Sequence, residues 1–320
     1  MTKRIVAVLA LSLVSADAFA SQAKNLISGG GDRGLILGTT GMYGSFYTND
    51  EYNMFWNPAF INGQKSWAII ENGANSGTGN NATSGGFVTG MGALNVGVFF
   101  NRATNSVVNT NGTQNIDLVV GGDMGVKWGL GLSTTLSTGS ASTTTLKGGV
   151  MVADFEPFVA FDLKNSTGTV SSSDMTIGTR YHMGDWTPYV AYRSVKTNTN
   201  NANAQTHMGL GFGRSAKMGD VDMSYSVAYW SVKTPADDTT YTLPVDLTFA
   251  APASSWFTAR VGFSHDLRAS TARAQATNTR IGGTFHLGKA DLDMVVGNNS
   301  DNAFGFDDEL FANAGLTYRM

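Results

Sequence analysis

The feature that most limits what this chain can fold into is a period of two that returns along most of its length. In VKWGLGLSTTL, Val126, Trp128, Leu130, Leu132, Thr134 and Leu136 alternate with Lys127, Gly129, Gly131, Ser133 and Thr135. Successive side chains on a strand point to opposite faces, so this run has one oily face and one small, polar face. From Ser66 onward the theme repeats: roughly ten alternating residues, then a cluster of Gly, Asn, Ser, Thr or Asp, then another alternating run. Leu94, Val96, Val98 and Phe100 carry one such face, and Val221, Met223, Tyr225, Val227 and Tyr229 another. The chain ends on Ala312, Ala314, Leu316, Tyr318 and Met320 in the same rhythm.

The connections alternate as well. Tight ones such as Gly122-Asp123-Met124-Gly125, Gly184-Asp185 and Gly288-Lys289 take turns with looser polar ones such as TNSVVNTNGTQN, NSTGTVSSS and TNTNNANA. Short turns on one side and longer loops on the other are the asymmetry of transmembrane β-barrels. A soluble sandwich also alternates, but it buries its oily faces against each other and carries more charge on its wet face. Here only 14% of residues are charged, Gly is frequent at 39 and Pro scarce at 6. The non-oily faces of Gly, Ser, Thr and Asn suit a wet lumen, and Trp and Tyr recur near strand ends as membrane interfaces require. The pattern therefore predicts an all-β fold: a transmembrane antiparallel β-barrel of about sixteen strands, with water inside and lipid outside. An even count with both ends on the short-turn side requires YTLPVDLTF to be a strand, and Pro244, which cannot donate to a ladder, leaves fourteen as the alternative.

The first twenty residues, MTKRIVAVLALSLVSADAFA, place Lys3 and Arg4 before an apolar run from Ile5 to Val14, followed by Ala18-Phe19-Ala20. This reads as a secretory signal cleaved after Ala20, since the run is too short to span a bilayer as a helix. Cleavage removes Lys3, Arg4 and Asp17, so the formal net charge of −3 becomes −4, and nothing in that balance suits nucleic acid. The organisation expected is a signal at 1–20, a periplasmic or lumenal N-terminal segment at 21–65 and the barrel at 66–320. Cysteine is absent.

The final run, Leu310 to Met320, resembles the C-terminal signature by which outer-membrane barrels are recognised by their insertion machinery, although that pattern usually ends in Phe rather than Met. Phe55-Trp56-Asn57-Pro58-Ala59, within DEYNMFWNPAFI, looks like the NPA motif of the FadL-type fatty-acid channel superfamily. There the motif belongs to an N-terminal hatch inside a fourteen-stranded barrel, which implies a plug here. Physics asks for one independently, because external loops of this size are too short to fold back and narrow a wide pore. Phe55, Trp56, Asn57, Pro58 and Phe60 are the plug candidates, and the competing reading packs these aromatics under the periplasmic rim.

With the oily positions outward, Lys127, Lys147, Arg180, Arg193, Arg260, Arg280 and Arg319 fall on the inner face, as do Asp117, Asp162, Asp174, Asp222 and Asp291. Opposed charges across a lumen filter solutes by charge and size, whereas any single residue here can equally serve to pair with a neighbour and stiffen the wall. His182, His207, His265 and His286 have no acidic partner at a repeated spacing, so neither a metal site nor a Ser-His hydrolase is signalled. GGGDRG, Gly29 to Gly34, lacks the Lys-Ser/Thr of a phosphate loop. The expectation is a non-enzymatic outer-membrane porin of a Gram-negative cell, without cofactor or metal, passing small hydrophilic solutes. Its partners would be outer-membrane lipid, lipopolysaccharide and the insertion machinery, with a homotrimer by porin analogy. A FadL-like carrier of hydrophobic compounds and a structural or adhesive barrel are the alternatives.

Overall fold

The computed structural model describes residues 22–27, 45–74, 81–101, 113–137, 141–167, 170–198, 204–236, 238–270, 277–298 and 310–320. The segment read as a signal lies outside them. A short helix α1 (Gln22–Ile27) and two 3₁₀ turns (Glu51–Phe55 and Pro58–Gly63) precede sixteen strands. These are β1 (Trp67–Ala74), β2 (Asn81–Met91), β3 (Leu94–Phe100), β4 (Thr113–Asp123), β5 (Lys127–Ser137), β6 (Ala141–Met151), β7 (Phe155–Thr167) and β8 (Val170–Tyr181). They continue as β9 (Trp186–Thr197), β10 (Gln205–Met218), β11 (Val221–Lys233), β12 (Thr239–Ser254), β13 (Phe257–Ala269), β14 (Thr277–Leu287), β15 (Ala290–Asn298) and β16 (Leu310–Arg319).

Each strand pairs antiparallel with its neighbour in sequence, and β1 closes on β16 with Trp67 opposite Arg319. Closure removes both sheet edges, so the described strands leave no open ladder to lipid. The count is sixteen rather than fourteen, because Thr239–Ser254 is indeed a strand. Pro244 is tolerated at a register shift between Leu243 and Pro244, where the ladder is already broken.

The period of two sorts residues as the sequence requires. Leu118, Leu130, Val159, Ile177, Val190, Leu210, Ile281 and Leu316 are exposed on the outer wall. Tyr181, Trp256 and Tyr318 are exposed at the short-turn end, where an interfacial aromatic girdle belongs. Short connections hold two to four residues and the opposite side two to twelve. The tight turns need a left-handed residue, supplied by Gly125 (φ 86°) and Gly288 (φ 76°) among others. One expected loop is not a loop: most of NSTGTVSSS is absorbed into β7 and β8, whose pairing resumes at Ser166 and Ser171 after an irregularity.

Candidate functional site

The inside of this barrel is asymmetric. On β1 to β9 the inner face carries Trp67, Ile69, Val88, Phe99, Val119, Phe158 and Tyr189, all buried. Such a wall cannot face water at low cost, since each buried side chain of this kind is worth roughly 1.5–3 kcal/mol. Residues 45–63 cover it. Phe46, Tyr52, Met54, Phe55, Trp56 and Ile61 join these wall residues in one hydrophobic cluster. Trp56 meets Phe158 edge-on at 4.8 Å, Phe55 meets Phe99 edge-on at 4.8 Å, and Phe46 lies 5.0 Å from Tyr189.

Local chemistry shapes the segment. Asn57 precedes the second 3₁₀ turn and its Oδ1 accepts from Ala59 N at 3.1 Å, while Pro58 at the first helical position has no N–H to leave unpaired. Trp56 Nε1 donates to Asn53 Oδ1 at 3.0 Å, satisfying the buried indole. Glycines in the wall make room. A Cβ on Gly129 would overlap the Pro58 carbonyl, one on Gly149 would overlap Asn57 Oδ1, and one on Gly213 would overlap Tyr47. The small face of VKWGLGLSTTL is therefore met by Pro58 at Gly129 and Gly131, and the expectation of water against that face is corrected at these two positions.

Buried polar links fix the segment to the wall. Arg180, with its side chain fully buried, pairs through Nε with Glu156 and donates to the carbonyls of Phe46 at 2.8 Å and Thr48 at 2.9 Å. Its Nη2 donates to Asn49 Oδ1, and its guanidinium lies 4.7 Å from the ring centre of Phe60 and 5.2 Å from that of Trp56. Tyr52 donates its hydroxyl to Glu71, a buried carboxylate on β1. Asn57 Nδ2 reaches the carbonyls of Val150 and Pro157, both at 3.4 Å.

The inner wall of β10 to β16 is different. Apart from Ala228 and Trp230 on β11, Pro244 on β12 and Val295 on β15, its buried side chains are polar: Ser226, Asp246, Asp266, Arg280, Asp293 and Thr317 among them. Helix α1 rests on β13 to β16 through a small cluster of Ala23, Ile27 and Val295. A cavity of about 460 Å³ lies at the short-turn end, between residues 47–50, α1 and β9 to β13. Thr187, Ser215, Ser224 and Thr248 give it hydroxyls, and Asp185, Asp222 and Arg260 give it charge.

The candidate lumen charges are dispersed through this interior and mostly engaged. Arg193 Nε holds Asp174 at 2.9 and 2.8 Å. Arg319 pairs with Asp291, and Asp117 accepts from Ser133 Oγ. Asp162 accepts from Thr145 Oγ1 and Asn165 Nδ2, each at 2.7 Å. Lys147 and Arg280 are buried, Lys127 is half-buried at the short-turn end of β5, and Arg260 lines the cavity. Asp222 sits at the rim 3.7 Å from Lys217. Of the plug candidates, Phe55, Trp56, Asn57 and Pro58 are buried against the wall, and Phe60 packs on Trp56 at 5.5 Å.

Sequence reasoning missed Glu71, Glu156, Asp246, Asp266 and Asp293, although the same parity rule places all five inward. It also missed partners for two histidines. His182 Nε2 lies 3.1 Å from Glu156 and His286 Nδ1 lies 2.9 Å from Asp291, with Thr187 and Thr258 on the other ring nitrogens. In each case the carboxylate also binds an arginine, so the group orients an ion pair.

A closed, sixteen-strand antiparallel barrel clad outside in apolar side chains is a transmembrane β-barrel. Comparison with solved structures agrees at the level of fold. The chain is similar to a bacterial polysaccharide outer-membrane secretin at 10% identity and TM-score 0.55, over 80% of this chain and 98% of that one. It is similar to BamA from Haemophilus ducreyi lacking POTRA domains 1–3 at 10% identity and TM-score 0.50, over 79% and 70%. A porin aligns over 80% and 99% at 13% identity with TM-score 0.48. No protein-family model and no curated protein sequence matches the chain.

Proposed function

We propose that this protein is an outer-membrane channel whose N-terminal segment fills the β1 to β9 side of the lumen, rests α1 on β13 to β16, and confines small hydrophilic solutes to the cavity left between them against β9 to β13. The observation that carries the reading is the split interior: an apolar wall under residues 45–63 and a polar, charged wall opposite. The cavity at the short-turn end lies on the polar side, where a passage would open to the periplasm. Export by the signal at 1–20 and insertion through the terminal strand β16 complete the reading, with a Gram-negative outer membrane as the destination and a homotrimer as the porin-type assembly.

A FadL-like carrier would need an apolar pocket and a lateral opening. The apolar surface here is spent on the chain's own side chains, and all sixteen strand pairs of the wall are hydrogen-bonded. The hydrophilic reading is therefore favoured over it.

Because the chain has no cysteine, single cysteines report access cleanly. In planar bilayers the protein should give ohmic steps. A cationic methanethiosulfonate should lower the conductance of Ser224→Cys, at the cavity, and leave Val119→Cys, under the segment, unchanged. Folded, inserted protein that passes no current, or a Ser224→Cys channel indifferent to the reagent, sinks the proposal; silence would instead favour a structural barrel.

A further inference from the structure

The cavity at the short-turn end is more elaborate than a passage requires. Three of its hydroxyls lie in one row across adjacent strands: Ser215 on β10 pairs with Ser224 on β11, which pairs with Thr248 on β12. Neighbouring strands stand about 4.8 Å apart, so the row is about 10 Å long. The Ser215 and Ser224 oxygens are bonded at 3.0 Å. Thr248 is different. It is only 9% exposed, it lines the cavity, and its hydroxyl makes no hydrogen bond among the described residues. A polar group this buried is normally satisfied, by the protein or by something that enters beside it.

The N-terminal segment shapes a chamber around the row. Toward the membrane centre, Gly213 leaves room for Tyr47, and beyond Thr248 its partner Gly262 leaves room for the carbonyl of Ile27. The charged groups of the lining already have partners. Asp185 bonds Arg214 at 3.2 Å, Asp222 lies 3.7 Å from Lys217, and Asp50 accepts from Thr48 at 3.2 Å. His182 sits between Thr187 and Glu156, 3.1 Å from each, and Lys24 and Arg260 are engaged as well.

An ion would need an opposite charge without a partner. A polyol needs groups that donate and accept by turns, and a hydroxyl does both, a bonded pair of them still keeping a donor and spare lone pairs. Ile27 and Ala250 in the same lining suit the C–H faces of a sugar ring. We propose that this cavity is a binding site for a neutral sugar of disaccharide length, held along Ser215, Ser224 and Thr248. This deepens the channel reading and rests on it for the route by which the sugar arrives, so binding and conduction are measured apart.

The folded protein, held in dodecyldimethylamine-oxide micelles that carry no sugar headgroup, is titrated with sucrose and with trehalose, and binding is read by saturation-transfer difference NMR. At least one of the two should bind saturably. Ser224→Ala and Thr248→Val should each weaken that binding about fivefold, the worth of one hydrogen bond. Thr248→Ser, which keeps the hydroxyl, should bind as the wild type does. Heat-modifiable migration in gels verifies folding, and either hydroxyl-less variant carries the test if the other does not fold. No saturable binding of either sugar overturns the proposal, as does equal affinity in the wild type and the hydroxyl-less variants. Displacement of the sugar by glycylglycine at equal concentration overturns it too, since that would mark a site for zwitterions. Planar bilayers test the channel separately: sugar binding without current keeps the site and removes the passage, and current without sugar binding does the reverse.

Discussion

Replacing Arg180 by Met keeps the length of the side chain and removes its charge and its fork of donors. The Arg180 side chain is fully buried and Glu156 nearly so, and breaking a buried pair by deleting one partner costs about 3–5 kcal/mol. The carbonyls of Phe46 and Thr48 and the amide oxygen of Asn49 lose their donor too, at about 1 kcal/mol each where water cannot replace it. His182 still reaches Glu156 at 3.1 Å, which keeps the loss toward the lower end. A total of about 5 kcal/mol corresponds to a rise of about 5 × 10³-fold in the population of the opened segment. The sixteen-strand ladder does not depend on Arg180, so the opening is local. Hydrogen exchange followed by mass spectrometry should show residues 45–63 exchanging about five-thousandfold faster, with β10 to β16 unchanged and the folded gel band intact. If 45–63 keep their protection, or if the whole barrel melts first, the assignment of Arg180 as the anchor of the segment is wrong.

Other substitutions test the same packing. Tyr52→Phe leaves the buried Glu71 carboxylate without its phenolic donor and should cost about 1–3 kcal/mol, read as faster exchange around residues 51–55. Asn57→Asp replaces the amide that faces the carbonyls of Val150 and Pro157 with an acceptor, so thermal stability of the segment should fall more than in Asn57→Ala, which a melt followed by exchange would rank. Gly129→Val drives a branched side chain into the Pro58 backbone and should raise channel conductance in bilayers by displacing the segment; unchanged current would mean that Pro58 moves without opening a path. Release of Phe46, Tyr52, Met54, Phe55, Trp56 and Ile61 together costs on the order of 10 kcal/mol, so the unmodified segment should not gate under voltage, and flicker that survives an Asn57→Cys/Gly149→Cys tether must arise elsewhere.

Much of this architecture can be read in one dimension because alternation is local. Leu130 and Gly129 face opposite ways whatever the rest of the chain does, and the same rule aligns Asp246 and Glu156 with the lumen once their strands are recognised. Strand number was harder, since it turned on whether Pro244 could sit in a ladder, and the answer depended on a register shift shared with β13. The aromatic inner faces of β1, β3, β7 and β11 were harder still. Phe99 and Phe158 fall on the face that elsewhere carries Gly and Ser, and in a short run a large inward residue looks like noise until its partner is known.

The sequence alone determined that the chain is a closed β-wall with one face for lipid, because a two-residue period fixes facing and tight turns alternating with loops fix the order of strands. Only the tertiary structure decided what the other face meets. A glycine face suits water and a packed backbone equally well, and Pro58 stands about seventy residues from Gly129 in the chain, a separation across which no periodicity carries information. The same holds for Arg180: its parity announces that it points inward, while its grip on Phe46, Thr48 and Asn49 exists only because the barrel, once closed, brings distant segments to one place.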